Sequence, residues 1–335
     1  MNKNLKTAIN TFFFLAVGGF LFYWAIGKED SSQFFSEIQN ADLKWIGLSI
    51  LCGILSHLAR ALRWNLLLKP MGYNAGVANS FHAVIIGYLV NMALPRVGEI
   101  TRPAVLNKLD NIPFNKLVGT VVIERVIDLV ITIVIAISIF FIQFNVIYDF
   151  TAELFRSVNT SFIMIYSIIG IVGFVLLLLV YKYRFWFYNL PIIKKFKDFI
   201  EGLLDGIKTI FNLEQKGLFV FYSLFIWFMY FCMPYFIFFA LEGTSHLGAS
   251  AGLTVLLFGT AAMIVPVPGG VGTFELMVPA ALSLYGIAAT LAKSYTLITH
   301  AIQIMVVLGV GIISVLYFVI KSQKIKKNEL AKENS

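Results

Sequence analysis

The chain has 335 residues, of which 59% are hydrophobic and 13% are charged, and its formal net charge is +8. A soluble globular protein carries about 25% charged residues, so this chain has too few charges to cover a surface that faces water. The positive residues lie in short loops beside apolar runs, where they orient helices and meet anionic lipid rather than nucleic acid. Both cysteines lie inside apolar runs, without the spacing of a disulfide framework or a metal site.

Several apolar runs are long enough to cross a bilayer as a helix, for which about 20 residues suffice. Spans are predicted at about 8–27, 44–68, 114–143, 160–181, 217–241 and 293–320. Because lipid offers no hydrogen bonds to the backbone, a helix is favoured for each of them. The predicted fold class is therefore all-α, a polytopic membrane protein with about six full transmembrane helices.

The orientation follows from lysine and arginine, which mark cytoplasmic loops. They place both termini in the cytoplasm and the protein in the cytoplasmic membrane of the cell. The first run is too long for the core of a signal peptide and is interpreted as a retained helix. Residues 190–212 have the apolar spacing of an interfacial helix, and the lysine-rich residues 321–335 are expected to form a disordered cytoplasmic tail.

Two apolar segments, 74–112 and 243–292, are interrupted near their middle by proline and glycine. The interruptions contain Pro95 and Gly98 in the first segment and Pro266 and Pro268 in the second. Proline removes a backbone donor and clashes with the preceding turn, so each helix is predicted to stop there. Each segment is interpreted as a re-entrant hairpin, since the charges after the first break do not suit a lipid-facing span. The alternative is that the hairpins cross fully, giving eight spans.

The order of elements then repeats along the chain. Residues 1–143 form one membrane repeat with its hairpin at 74–112, and residues 144–320 form a second, inverted repeat with its hairpin at 243–292. Inverted repeats with interrupted helices in matching positions are typical of transporters, which bind substrate near the midplane between the repeats.

Glu124, Arg125 and Asp128 form the sharpest group of candidate site residues, because they lie inside an otherwise apolar span. Charges at membrane depth cost at least about 2.5 kcal/mol each unless they are paired or hydrated. Their spacing lets all three meet on one flank of a helix. We predict that they line a transport path, and the alternative is a self-contained ion-pair network that fixes helix packing.

Further arginines lie near the first break and near the inner end of the span at 44–68. Arg96, Glu99 and Arg102 flank the break and predict an anion site, because arginine matches the planar geometry of a phosphate. The alternative for them is a surface loop of snorkelling side chains. Arg60 and Arg63 are interpreted first as snorkelling membrane anchors and second as a secondary site.

The second break is rich in glycine and is predicted to open a helix. Gly269, Gly270 and Gly272 precede Thr273, the predicted N-cap, and Glu275 follows in the first turn. Free amides at such a helix start can hold an anion or a polar head group, and the alternative is a plain turn. Glu275 is expected to be a lone buried carboxylate that could bind a proton. The four histidines lack metal-ligand spacing and are expected to be packing residues, so neither metal nor other cofactor is predicted.

Taken together, these motifs resemble the membrane region of lysylphosphatidylglycerol synthetases and of stand-alone, flippase-like (YbhN-like) membrane proteins. The likeness covers about 10–320 and is carried by Arg60-Ala61-x-Arg63-Trp64, Leu94-Pro95-Arg96-Val97-Gly98-Glu99 with Arg102-Pro103, Glu124-Arg125-x-x-Asp128 and Pro266-x-Pro268-Gly269-Gly270-Val271-Gly272-Thr273-Phe274-Glu275. In the two-domain synthetases this region is taken to flip aminoacylated phosphatidylglycerol, which a soluble domain makes. The resemblance implies lipid movement, and a synthetase domain is not expected after the short tail.

The expected function is a translocase that moves a phospholipid or a lipid-linked envelope intermediate, and not an enzyme. Its expected partners are membrane lipids, foremost an anionic phospholipid or a lipid-linked head group, and a homo-oligomer is left open. The alternatives are a secondary transporter of a small anionic solute and, third, a membrane-embedded lipid or glycan transferase. A lateral opening between helices would favour a lipid, whereas a closed central cavity would favour a solute.

Overall fold

A computed structural model describes residues 39–143 and 213–333, and in these two ranges the chain forms helices and no β-strand. The helices are α1 (Leu43–Leu68), α2 (Val77–Ala93), α3 (Gly98–Asp110), α4 (Phe114–Ile142), α5 (Lys216–Ala240), α6 (Ala249–Ile264), α7 (Thr273–Ser283) and α8 (Ala289–Glu333). The predicted spans at 8–27 and 160–181 and the predicted interfacial helix at 190–212 lie outside the described residues.

Four of the helices, α1, α4, α5 and α8, are long and apolar enough to cross a membrane. Three of the spans predicted from sequence agree with α1, α4 and α5 to within one residue at each end. The start of α1 follows a local signal, because the carboxylate of Asp42 accepts a hydrogen bond from the amide of Lys44 at 2.9 Å. The chain is an all-α polytopic membrane protein, as predicted.

The helix α8 is longer than its sequence prediction. It continues past residue 320 to Glu333, so the prediction of a disordered tail is wrong as far as residue 333. The extension is made mostly of strong helix formers and contains neither glycine nor proline. Its first turn is also held from outside, because Lys321 Nζ donates to Asn79 Oδ1 on α2 at 2.7 Å.

The two broken segments form helical hairpins, α2–α3 and α6–α7. Their limbs contain 17, 13, 16 and 11 residues. At about 1.5 Å per residue, none of these limbs reaches the roughly 30 Å of a bilayer's hydrocarbon. Their lengths favour re-entrant hairpins over full spans, which stays a prediction.

Each hairpin turns at the break that the sequence predicts. Arg96 has φ 66°, the left-handed region that is costly for a residue with a side chain, and Gly269 has φ 59°. Gly98 lets the limbs of the first hairpin touch, because a Cβ atom there would lie 1.9 Å from the carbonyl oxygen of Gly87. The amide of Gly98 also donates to Asn91 Oδ1 at 2.7 Å, which closes the turn.

Each hairpin packs against helices of its own half and also against a helix of the other half. At the centre α1 packs along α5, where Ser49 Oγ donates to the carbonyl oxygen of Met233 at 3.0 Å. The hairpin α2–α3 packs against α8, and the first limb of α6–α7 packs against α4. There Gln143 Nε2 donates to Thr254 Oγ1 at 2.8 Å. Two halves related by a two-fold axis would make such reciprocal contacts, although the inverted orientation itself stays a prediction.

Candidate functional site

Glu124 lies at the centre of a buried network of charges between three helices. Arg63 on α1 approaches its Oε1 atom with Nη2 at 3.3 Å, and Arg102 on α3 donates to its Oε2 atom. The carboxylate has no exposed surface, so both oxygens are neutralised by arginine. The partners come from α1 and α3, so the network joins helices, as the alternative of an ion-pair network that fixes helix packing expects; a lining of a transport path stays a prediction.

Asp128, at the midpoint of α4, is the second acceptor of the same network. Arg60 Nη1 donates to its Oδ2 atom at 3.1 Å, and Arg63 Nη1 donates to its Oδ1 atom at 2.9 Å. The network extends to α5, where Tyr230 accepts a hydrogen bond from Arg60 Nη2 at 3.0 Å. Four helices therefore meet around these charges.

The interpretation of Arg60 and Arg63 as snorkelling anchors is wrong. Their side chains are 3% and 0% exposed and face the interior, because two carboxylates on α4 lie within hydrogen-bond reach. The sequence held a signal for this pairing. Arg60 and Arg63 are three residues apart on one helix, and Glu124 and Asp128 are four apart on another, so each pair projects from one face.

Arg102 is buried as well, which excludes it from a surface loop of snorkelling side chains. Its guanidinium lies over the indole ring of Trp64, 4.8 Å from the ring centroid, as expected for a cation–π contact. The indole in turn donates to Thr120 Oγ1 at 2.7 Å. Trp64 and Thr120 thus hold in place an arginine that pairs with Glu124.

Arg125 differs from the buried arginines because it lies on an exposed apolar face of α4. Its side chain is 44% exposed, and the neighbours one turn away, Val122 and Leu129, are 57% and 38% exposed. Its Nε atom lies 3.5 Å from Glu99 Oε2, and its Nη2 atom lies 3.9 Å from Asp128 Oδ2. Arg125 therefore joins the exposed face to the buried network.

The network holds more positive than negative charge. It contains four arginines and three carboxylates, namely Arg60, Arg63, Arg102, Arg125, Glu99, Glu124 and Asp128. The Nε–H groups of three of the arginines, Arg60, Arg63 and Arg102, have no hydrogen-bond acceptor among the described residues. Among the described residues of the network the formal charges therefore sum to +1, and Arg125 is its partly exposed arginine.

The second break is closed on itself rather than open to an anion. The amides of Gly270, Val271 and Gly272 already donate, to the carbonyl oxygens of Val267 and Pro268 and to the carboxylate of Glu275. These three amides are therefore not free to hold an anion, which favours the alternative of a plain turn for this part of the break. Binding of an anion at the start of α7 stays a prediction.

Two residues of the second break have other roles than predicted. Gly272, not Thr273, is the N-cap of α7, and the Thr273 hydroxyl donates to the carbonyl oxygens of Ala262 and Gly270. Glu275 is not a lone carboxylate, because its Oε1 atom lies 2.5 Å from Nδ1 of His300 on α8. Sequence reasoning missed His300, which lies 25 residues away and showed no ligand spacing.

The two breaks lie against each other. Arg96 Nη2 at the first break donates to the carbonyl oxygen of Ile264, at the end of α6, at 3.1 Å. A Cβ atom on Gly269 would lie 4.0 Å from the Cα atom of Met92. Arg96 and Pro266 are both exposed beside this contact. The structure thus brings the predicted break residues of both halves to one place.

A cavity of about 200 Å³ lies elsewhere, between the ends of α1 and α5. Asn65, Lys69, Tyr73, Gln215 and Tyr222 contribute its polar lining. None of the predicted site residues lines this cavity. Among the described residues, no three side chains of the His, Cys, Asp and Glu types are grouped as metal ligands.

Comparison with known proteins places this geometry in a family. Residues 12–311, a range that includes every site residue named above, match the lysylphosphatidylglycerol synthase TM region. The chain is similar to the UPF0104 membrane protein PH1989 of Pyrococcus horikoshii, at 26% identity over 88% of this chain and 92% of that protein. It is 29% identical over half its length to half of the UPF0104 membrane protein MJ1595 of Methanocaldococcus jannaschii. No solved structure matches significantly.

Proposed function

We propose that this chain, which belongs to the lysylphosphatidylglycerol synthase TM-region family, moves an anionic phospholipid or a lipid-linked head group between the leaflets of the cytoplasmic membrane. The observation that carries the proposal is Arg125, a half-exposed cation among exposed apolar side chains of a membrane-spanning helix. The distribution of lysine and arginine supports cytoplasmic termini.

The position of Arg125 suits a ligand that is both charged and apolar. A cation at membrane depth costs roughly 2.5–3.5 kcal/mol on insertion scales unless an anion or water compensates it. A phospholipid supplies both parts of the match, since its phosphate can pair with Arg125 while its acyl chains lie along Val122 and Leu129. An arginine guanidinium also fits two phosphate oxygens at once.

The buried network and the breaks supply the rest of the path. Glu124 and Asp128 hold Arg60, Arg63 and Arg102 in fixed positions, so the excess positive charge persists in a low-dielectric interior. Interrupted helices that meet near the midplane are where transporters of inverted-repeat type bind substrate. The contact of Arg96 with the end of α6 supports passage of the head group between the two breaks.

The same geometry weighs against the two other expected functions. A small anionic solute would be held in an enclosed cavity beside the arginines, and the cavity of about 200 Å³ found between the described ends of α1 and α5 does not lie there. The side chains of the network are engaged in charge pairing and positioning, so we propose transport and not group transfer.

The test is movement of labelled lipid in vesicles. Purified protein in liposomes should speed the transbilayer movement of fluorescent phosphatidylglycerol, and Arg125→Gln should slow it about tenfold, as loss of about 1.4 kcal/mol of charge-assisted bonding implies. Lys326→Gln removes one exposed positive charge far along α8 and should keep the wild-type rate. Equal rates for the wild type and Arg125→Gln, or no movement of any anionic lipid, would refute the proposal.

A further inference from the structure

A carboxylic acid and an imidazole meet directly beneath the second break. Glu275 on α7 and His300 on α8 are both buried, with Oε1 and Nδ1 2.5 Å apart. The other imidazole nitrogen, Nε2, lies 2.9 Å from the carbonyl oxygen of Gly269. The other carboxyl oxygen, Oε2, accepts the amide of Gly272 at 2.6 Å. The pair thus touches both ends of the glycine turn.

The number of protons on this pair follows from its partners. A carbonyl oxygen can only accept, so Nε2 of His300 carries a hydrogen and donates to Gly269. At 2.5 Å, Nδ1 and Oε1 must then share one further hydrogen, whichever of the two atoms carries it. Glu275 and His300 therefore hold one exchangeable proton, and the pair as a whole is neutral.

Loss of that proton would break the arrangement. The ionised carboxylate of Glu275 would face the Nδ1 lone pair of His300, and two acceptors repel at such a distance. The imidazole could donate to only one partner, so it would keep either Glu275 or the carbonyl oxygen of Gly269. Release of Gly269 frees the turn that lies against the first break, which links the proton to the conformation of the turn.

The surroundings leave the pair with few competing charges. The ring of Phe274 lies 4.6 Å from that of His300, centroid to centroid, and α6 contains no ionisable side chain. On α2 the ionisable residues are His82, held by Ser314, and Tyr88, near Tyr230. Tyr295, also on α8, donates to the carbonyl oxygen of Pro234, and Lys293 lies two turns earlier on the same helix. Within residues 39–143 and 213–333, Arg96 is a cation whose contact reaches the second break.

We infer that Glu275 and His300 form a proton-binding site that couples the movement of lipid to a proton gradient across the membrane. This rests on the proposed function. The pair takes one proton from water on one side of the break and gives it up to water on the other, and the turn at Gly269 closes and opens with it. The ligand of the site is the proton itself, so no further reactant is required.

Two variants separate this role from a structural one. In Glu275→Gln the carboxamide can donate to Nδ1 of His300 and accept from Gly272, so the variant retains both contacts and imitates the protonated pair. His300→Gln removes the exchangeable proton in a second way. Both variants should move labelled phosphatidylglycerol at a rate that an imposed proton gradient leaves unchanged, whereas the gradient should speed the wild type severalfold.

A second readout does not require any lipid movement. Raising the pH should increase the maleimide reaction rate of a cysteine at Val271, inside the turn, by a larger factor than that of a reference cysteine at exposed Ser245. Glu275→Gln should abolish this excess increase. If lipid moves but the gradient affects wild type and Glu275→Gln alike, the inference is overturned and the proposed function stands. If no lipid moves, the proposed function fails. A pH-dependent excess that Glu275→Gln abolishes would then support the proton site, and an excess that persists in Glu275→Gln would overturn it.

Discussion

Arg63 on α1 and Asp128 on α4 form an ion pair in the interior of the protein, with Nη1 and Oδ1 2.9 Å apart and the arginine side chain fully buried. Taking two charges out of water is costly. The attraction between them offsets this cost only if the geometry is good and the remaining hydrogen-bonding groups of both side chains are satisfied. Arg63 meets most of that condition by also donating to Ser223 at 3.3 Å and to Glu124, while its Nε–H has no acceptor among the described residues. The pair therefore specifies how α1, α4 and α5 dock.

Removal of one partner from this network should destabilise the fold. Asp128→Asn removes the carboxylate partner of Arg60 and leaves Arg63 with Glu124 alone, for which the expected loss of unfolding free energy is about 3–5 kcal/mol. The measurement is unfolding of the purified protein in detergent, followed by tryptophan fluorescence. Glu214→Gln changes an exposed carboxylate and should stay within about 0.5 kcal/mol. A loss no larger than that of Glu214→Gln would contradict the network's structural role.

The limbs of the first hairpin are in close contact, so alanine substitutions at Gly98 and Gly119 should have opposite effects on stability. Gly98→Ala would place a methyl group 1.9 Å from the carbonyl oxygen of Gly87, so the limbs must separate. We expect a lower unfolding temperature and slower lipid movement. Gly119→Ala, inside α4 with no atom within 4 Å of the added methyl group, should raise stability by up to about 1 kcal/mol. Equal effects of the two substitutions would show that the limbs do not touch.

The features that the sequence predicted well are those that one segment decides alone. Length and apolar composition located α1, α4 and α5, and proline with glycine located both breaks. Proline alone does not decide this, because Pro103, Pro234 and Pro279 lie inside α3, α5 and α7; the breaks are where proline is followed closely by glycine.

The features that the sequence missed depend on partners from distant segments. Arg60 and Arg63 look like anchors beside the end of a span, and only the fold places Glu124 and Asp128 opposite them. His300 belongs to no sequence motif, and it contacts Glu275 only because α8 packs beside the second break. The glycine amides were expected to be free, since a sequence does not show that a turn will satisfy its own donors.

Labelling of the two breaks tests the re-entrant geometry. Single cysteines at Val97 and Val271 should react weakly with membrane-impermeant maleimide in oriented membranes, each from the face on which its hairpin opens. Ser245→Cys and Lys326→Cys, at exposed positions on opposite predicted sides, calibrate the two faces. The native Cys52 and Cys232 are buried and should add little background. Strong labelling of either break from the far face would mean that its hairpin crosses fully.

Glu99 and a lipid phosphate should compete for Arg125. Because Glu99 Oε2 lies 3.5 Å from Arg125 Nε and both side chains are partly exposed, the pair contributes at most about 1 kcal/mol. Glu99→Gln therefore should raise the affinity for phosphatidylglycerol by up to about fivefold, whereas Arg125→Gln should lower it. The affinity is measured from the quenching of fluorescent phosphatidylglycerol by the protein in detergent micelles, at low and at high salt. Lys326→Gln should leave the affinity unchanged. Weaker binding by Glu99→Gln would mean that Glu99 holds the lipid itself, and the phosphate would then have to be assigned to another arginine.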